Sequence, residues 1–442
     1  LKSHHIWILG IGTVIALCAL GGVWLAQGFG KPEALYRAEV EKGDAVGLTQ
    51  NPEKLNRAIP ENKNALSDYM AAHKALKKFG ENHQKLDEDC KKPNAPRDLL
   101  KKKFSTPEIV QAFKHLDRAS AKPEMSTGVN YHKGLSGPVV GYAELKELVK
   151  LRCSRAEYLA KAGKFEAAFE DLTHASITLR HVEEGDPFLI QFLVYLACNS
   201  MVHRSLQNCA SQFPRSVKLS KSVMRINRNL VPKVSLKTAI SGEYGLLIST
   251  FNGFGDRKTR KAFFEADDVR EEDAELLSRV DWPAVRFVLQ AHTVESFRKF
   301  YVKLSSDPND YQSLTDASKF IEEVSSRTDW QFYIVRYLLP PFGSTADATK
   351  DALARHRLME LYAESLALPT GITPAIKQSM DPHSGKPFKS VVSGKEFTIY
   401  SVGVNGRDDG GKLRAEADRN LEPSQQADDV SVRYPFRLNQ KK

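Results

Sequence analysis

The chain has 442 residues, 41% hydrophobic and 27% charged, which excludes global disorder and leaves room for one large core or two to three ordinary domains. Its 64 Lys and Arg against 54 Asp and Glu give a net charge of +10, a balance that suits an acidic partner such as anionic lipid or polymer but is thinly spread over this length. Five cysteines with no CxxC spacing exclude a disulfide scaffold and a zinc ribbon, and read as free thiols.

The first element is "IWILGIGTVIALCALGGVWLAQGFG", Ile6 to Gly30, which carries no charge. A helix of about 20 residues spans a bilayer core, and Trp7 and Trp24 fall near the two ends, where interfacial aromatics belong. A cleaved signal peptide with a small-x-small site at Ala19 and Gly21 is the competing reading. The length of the run favours a retained transmembrane anchor over 1–30, and hence a single-pass membrane protein. Lys31, Arg37 and Lys42 against the lone Lys2 leave the orientation open, with an exported C-terminal body preferred.

Residues 31–59 are polar and broken by proline, and read as a linker. From Leu66 the period becomes helical, with Tyr69, Met70, His73 and Leu76 on one face. Thr106 and Pro107 mark a helix start as cap and first residue. Between Glu144 and Val182, Ala156, Gly163, Phe165, Ala168, Leu172 and Ala175 match the spacing of a tetratricopeptide unit. No second copy follows at about 34 residues, so its partners must be other helices. "DPFLIQFLVYLACNSMVHRSLQ" opens on Asp186 as cap and is apolar nearly all round to about Ala197, as in a buried central helix. Further helices are expected at 217–230, 236–251, 269–278, 283–304, 313–326 and 346–367. Residues 60–368 thus form one α-helical domain. Residues 369–442 form a small module in which two short strands join at Ser393-Gly394, followed by a polar tail. The expected fold is mainly α: a transmembrane helix, a tetratricopeptide-like helix-pair domain and a C-terminal β-hairpin.

HExxH, GxxxxGK[ST] and GxSxG are all absent, so no familiar catalytic set stands out. "GLSGP" around Ser136 has its closing glycine at the wrong offset. His174 and His181 share a helical face and Asp171 could join them, which remains short of a zinc ligand set. Glu157 reads as a structural carboxylate. Basic clusters stand at Lys101–Lys103, in "RKTRK", and along a helical row of Lys218, Lys221, Arg225 and Arg228. That row is either a solvated face or a contact for anionic lipid or polymer. Without interleaved aromatics it does not fit single-stranded nucleic acid, and no specific nucleic-acid partner is expected.

The most concentrated donor set is "YSVGVNGRDDGGK", Tyr400 to Lys412. Calcium takes about six to eight oxygens on a pliable loop, and Asn405, Asp408 and Asp409 offer side-chain oxygens among glycines. A turn of Asx and Gly residues that closes a hairpin without an ion is the alternative. No glutamate occupies a twelfth position, so the loop is not an EF-hand.

Two parts of the chain resemble a group of bacterial envelope proteins best known from planctomycete genomes: the helical stretches "PENKNALSDYMAAHKAL", "RAEYLAKAGKFEAAFEDLTHASITLRH" and "DPFLIQFLVYLA", and the closing "MDPHSGKPF…FTIYSVGVNGRDDGG". The closing module also resembles the C-terminal strand and calcium loop of the major pseudopilins of type II secretion. Asp381, Pro382, Gly385 and Pro387 match that family's turn, and Ser401, Val402, Gly403, Asn405 and Gly406 match its strand end. The resemblance implies calcium ligands at the Val402 carbonyl, Asn405 and Asp429. The turn carries one extra residue, Asn405 replaces an acid, and the prepilin processing motif is absent, so a processed pilus subunit is not expected. The functional expectation is a non-enzymatic, membrane-anchored scaffold of the bacterial envelope that binds a protein partner. An envelope hydrolase, or an accessory subunit of a secretion-type assembly, is the alternative.

Overall fold

The computed structural model describes residues 32–48, 59–92, 95–128, 141–258, 261, 283–327, 339, 342–412 and 428–436. Among them are thirteen α-helices and three strands. The hairpin of α6 (Tyr142–Lys161) and α7 (Phe165–Glu183) forms as its spacing predicts. Ala156, Ala168, Leu172 and Ala175 are fully buried, so the two backbones approach closely. Gly163 turns the chain at φ +75°, a conformation that favours glycine. Phe165 stacks on Phe169 with ring centroids 4.6 Å apart. This helix pair is tetratricopeptide-like and, lacking a second copy, rests on α8 (Leu189–Ala210).

Helix α8 is the buried centre expected, but it starts later than the sequence suggests. The Asp186 carboxylate does not cap it. It accepts instead from Ser126 Oγ at 2.6 Å, Thr127 N at 2.8 Å and Tyr142 OH at 3.2 Å, tying the preceding loop to α6. The first amide of α8, Leu189 N, donates to Glu243 Oε2 at 3.2 Å. Glu243 lies on α10 (Leu236–Gly253), where Gly242 meets the same loop. An added Cβ there would stand 1.3 Å from the Pro187 carbonyl oxygen. Backbone contact at this depth explains a mid-helix glycine despite its helix-propensity cost of about 1 kcal/mol.

Around this centre, α2 (Leu66–Asn82) packs on α5 (Pro107–Ser120), and α9 (Val217–Asn229) and α12 (Tyr311–Ser325) pack on α13 (Phe342–Leu366). The expected linker holds a helix, α1 (Pro32–Ala45), which lies along α11 (Pro283–Lys303). Val40 joins the core, and Glu39 meets Arg298 at 3.0 Å. Tyr36 also packs on the core, against Phe251 and Phe287, but two apolar anchors one turn apart among charged residues carry little periodic signal. The helix expected at 269–278, Cys18, Ser136 and the span at 1–30 lie outside the described residues.

The single-pass architecture is corrected. No helix among the described residues is long and apolar enough to cross a membrane, which goes against the expected transmembrane fold class and membrane localisation. The fold seen is mainly α with a three-stranded antiparallel sheet. The sheet also corrects the expected hairpin. β1 (Lys389–Ser393) and β2 (Glu396–Ser401) pair across a two-residue turn in which Gly394 has φ +60°, the geometry favoured between twisted strands. The tail, read as polar and loop-rich, returns as β3 (Val430–Tyr434), with Val432 opposite Ile399 and Val430 opposite Ser401. Phe397, Ile399, Val430 and Val432 are buried in the same core cluster as the helices. Arg215 fastens the sheet to the body. Its Nη2 donates to the Ser365 carbonyl and, at 2.8 Å, to that of Gly371, and its guanidinium lies over Phe397 at 5.0 Å.

Candidate metal centre

The turn before β1 is organised by Asp381, 2% exposed. Its carboxylate accepts from His383 N at 3.0 Å, Ser384 Oγ at 2.8 Å and Ser401 Oγ at 2.6 Å, and from Val402 N at 3.3 Å. The turn is thereby held against the end of β2, where the loop of interest begins. His383 is buried in the same turn, and its Nε2 lies 3.2 Å from Asp351 Oδ1 on α13.

Past β2, the loop folds back onto the residues that lead into β3. Asp409, Asp428 and Asp429 each place a carboxylate oxygen within 4.8 Å of the other two. Asp409 is fully engaged, accepting from Arg407 Nε at 2.7 Å, Asn405 Nδ2 at 3.2 Å and Asp428 N at 3.3 Å. Asp428 Oδ2 accepts from Asn405 N at 3.0 Å and Asp429 Oδ2 from Gly411 N at 2.7 Å. The other oxygens, Asp428 Oδ1 and Asp429 Oδ1, are buried and have no hydrogen-bond partner. Burial pushes both acids above the usual carboxylate range, Asp429 to about 6, and the nearby Asp409 charge adds to the effect. Gly403 must be glycine here: at φ +67°, an added Cβ would stand 2.6 Å from Asp428 Oδ1.

Of the five residues expected to bind the ion, two come together. Asp409 and Asp429 join the cluster, and Val402 directly follows β2, its amide held by Asp381. Asp408 turns away to Lys389 Nζ at 2.5 Å and Tyr400 OH at 3.0 Å. Asn405 uses its amide oxygen within the loop, accepting from Arg407 N at 2.7 Å. Asp428 was missed, although it is the neighbour of Asp429 in "ADDV"; the doublet was the available signal. The donor set fits a hard divalent cation. Two oxygens on one calcium, each at about 2.4 Å, stand no more than about 4.8 Å apart, and two unpartnered buried carboxylate oxygens are what such an ion satisfies.

The other candidates resolve into structural roles. His181 bonds Tyr69 OH at 2.8 Å and the Lys122 carbonyl at 3.0 Å. Asp171 is taken by Arg152 at 3.0 Å and by Arg155, so no shared zinc site forms with His174. Glu157 accepts from Asn208 and Ser205, and burial raises its pKa. The cysteines among the described residues are free thiols. A cleft of about 320 Å³ opens beside Asp117, Arg152, Arg155, Asp171 and His174. Its lining holds no Ser, Thr or Cys; Asp117 and Asp171 are bound to Arg152 and Arg155, and Glu170 and His174 complete its polar part. The chain matches no family model, no characterised protein and no solved structure.

Proposed function

We propose that this protein is a non-enzymatic interaction scaffold. Its helix-pair body presents a rigid binding surface, and in its C-terminal module the loop after β2 is closed onto the start of β3 by a divalent cation of the calcium type. The observation that carries the cation reading is the pair of buried, unpartnered oxygens on Asp428 and Asp429, within reach of Asp409. A cation there would tie the loop after β2 to the start of β3, two segments separated in sequence, and would remove a carboxylate repulsion that opposes their meeting. The scaffold reading draws support from the helix pair and from the guanidinium-bound acids of the cleft. Calorimetry of the full chain with calcium tests the cation. Heat of binding to one site, lost in Asp429→Asn, is expected; no heat and no change in melting at 10 mM calcium would remove it.

A further inference from the structure

Strand β1 is the least covered element of the sheet. All five of its residues are exposed, whereas β2 and β3 are largely buried. Of the ten large apolar side chains exposed among the described residues, four lie between Met380 and Val404, and two of these, Val391 at 53% and Val392 at 46%, are consecutive in β1. Successive side chains point to opposite faces of a strand, so both faces of β1 are open. Val392 shares a face with Phe397, Ile399 and Val432. Those three are buried, so the helical body covers that face up to β2 and stops short of β1.

The sheet order leaves β1 at an edge, and its backbone shows what fits there. Ser393 and Glu396 flank a two-residue turn and exchange the hydrogen bonds that close it. Bonding alternates along an antiparallel pair. Ser393, Val391 and Lys389 therefore turn their N–H and C=O groups to β2, and Val392 and Ser390 turn theirs outward. Phe388, two residues earlier, keeps the alternation: its N–H donates away from β2, to the Ser379 carbonyl at 3.1 Å. Among the described residues, no hydrogen bond reaches the outward groups of Ser390 and Val392. Such an edge is ordinarily blunted by charge, proline or a bulge. Residues 390–393 hold no charge and no proline, and their pairing with β2 is unbroken. The one charge on the strand, Lys389, is bound to Asp408 at 2.5 Å.

We propose that β1 pairs antiparallel with β1 of a second copy, joining two three-stranded sheets into one. The occupant is a second copy because the strand is complementary to itself. With Val391 opposite Val391 of the second copy, Ser390 falls opposite Val392, and Lys389 opposite Ser393. This register sets outward-turned residues only against outward-turned ones and supplies about four backbone hydrogen bonds. It places no like charges opposite each other and brings two valines together at the closer, non-hydrogen-bonded spacing. The same patch serves both copies, so the contact closes at a dimer. A strand pair of this length is smaller than a standard interface, so the dimer forms and dissociates with concentration. This inference goes beyond the scaffold reading and depends on neither it nor the cation.

The test follows the full chain, 49.5 kDa, by sedimentation velocity over rising concentration. A shift toward twice that mass is expected, with a dissociation constant raised at least tenfold by Val392→Pro. That variant removes an outward N–H and leaves every bond to β2 in place, and circular dichroism matching the parent confirms its fold. Val391→Cys reads the register without relying on that variant. Cysteines opposite each other on a non-hydrogen-bonded pair stand within disulfide reach. Mild oxidation is therefore expected to crosslink Val391→Cys into a dimer, while Val392→Cys, opposite Ser390, crosslinks no more than the parent. A parent that stays monomeric, a dimer that Val392→Pro leaves unchanged, or equal crosslinking from the two cysteine variants would overturn the assignment. So would a monomer whose Ser390 and Val392 amides resist hydrogen exchange, because another segment would then occupy the edge.

Discussion

Asp429→Asn separates the two roles that a buried carboxylate can play. Without a cation, Asp429 is a cost: burial and the neighbouring Asp409 charge move its carboxyl from 3.8 to about 6. At pH 7.5 the folded chain must therefore hold a charge that the unfolded chain holds more easily, a penalty of up to about 3 kcal/mol at about 1.36 kcal/mol per unit. The asparagine keeps an oxygen for Gly411 N and turns its NH₂ toward the other acids. With chelator, the variant is therefore expected to melt no lower than the parent. With cation the order reverses. For a dissociation constant on the order of 10⁻⁴ M, 10 mM calcium stabilises the parent by about 2.7 kcal/mol. At about 2.1 cal/mol/K per residue and 442 residues, this is a rise of about 3 °C. Thermal scans at pH 7.5, with chelator and with 10 mM calcium, read both effects. A parent that does not respond to calcium, or a variant that responds equally, would refute the reasoning.

Three further outcomes follow from the helical body. Glu183 and Glu243 are both raised to about 7 by burial from an ordinary 4.5, so their protonated forms favour the fold. That contribution is complete below pH 4.5 and is lost as pH climbs through about 7. The chain should be more stable to urea at pH 5 than at pH 8, and Glu243→Gln, whose amide oxygen can still accept from Leu189 N, should narrow the gap. Gly242→Ala forces a methyl into the Pro187 carbonyl and should cost more than about 3 kcal/mol, seen as a collapsed urea midpoint or loss of folded yield. Arg152→Met leaves buried Asp171 with Arg155 alone and should cost about 2–3 kcal/mol, below the full range for an abandoned buried charge.

The helix pairs were legible because their packing is local. Small residues at Ala156, Ala168 and Ala175 and a turn glycine at Gly163 lie within one hairpin, and the period that buries them can be read in a single window. The interior of α8 was legible for the same reason. Its start was not, because Asp186 is diverted to Ser126, Thr127 and Tyr142, contacts some 45 to 60 residues away in sequence. A capping residue read in isolation is only one competitor for its own carboxylate.

The same distinction governs the candidate site. The glycines and acids of 400–412 are visible as a cluster, but a chain segment does not show which of its oxygens are already spent. Asp408 looks as good a ligand as Asp409 until Lys389 and Tyr400, from the hairpin before it, claim it. Asp428 looks like spacing until β3 pairs with β2 and sets the strand's leading edge against Gly403. β3 itself, VSVRY, alternates apolar and polar residues over five positions, the period of a half-buried strand, so its signal was present although the stretch reads at first as part of a polar tail. What selects the site is therefore the register of β3: Val430 opposite Ser401 places Asp429 one step and Asp428 two steps beyond the end of β2. A one-residue slip would exchange the buried and exposed faces of β3 and disperse the carboxylates along with its core contacts. The meeting of the three carboxylates and correct pairing of the last strand are thus two readings of one arrangement. A Val432→Asp substitution, which opposes that register from the core side, should abolish the calcium response while leaving all three acids in place.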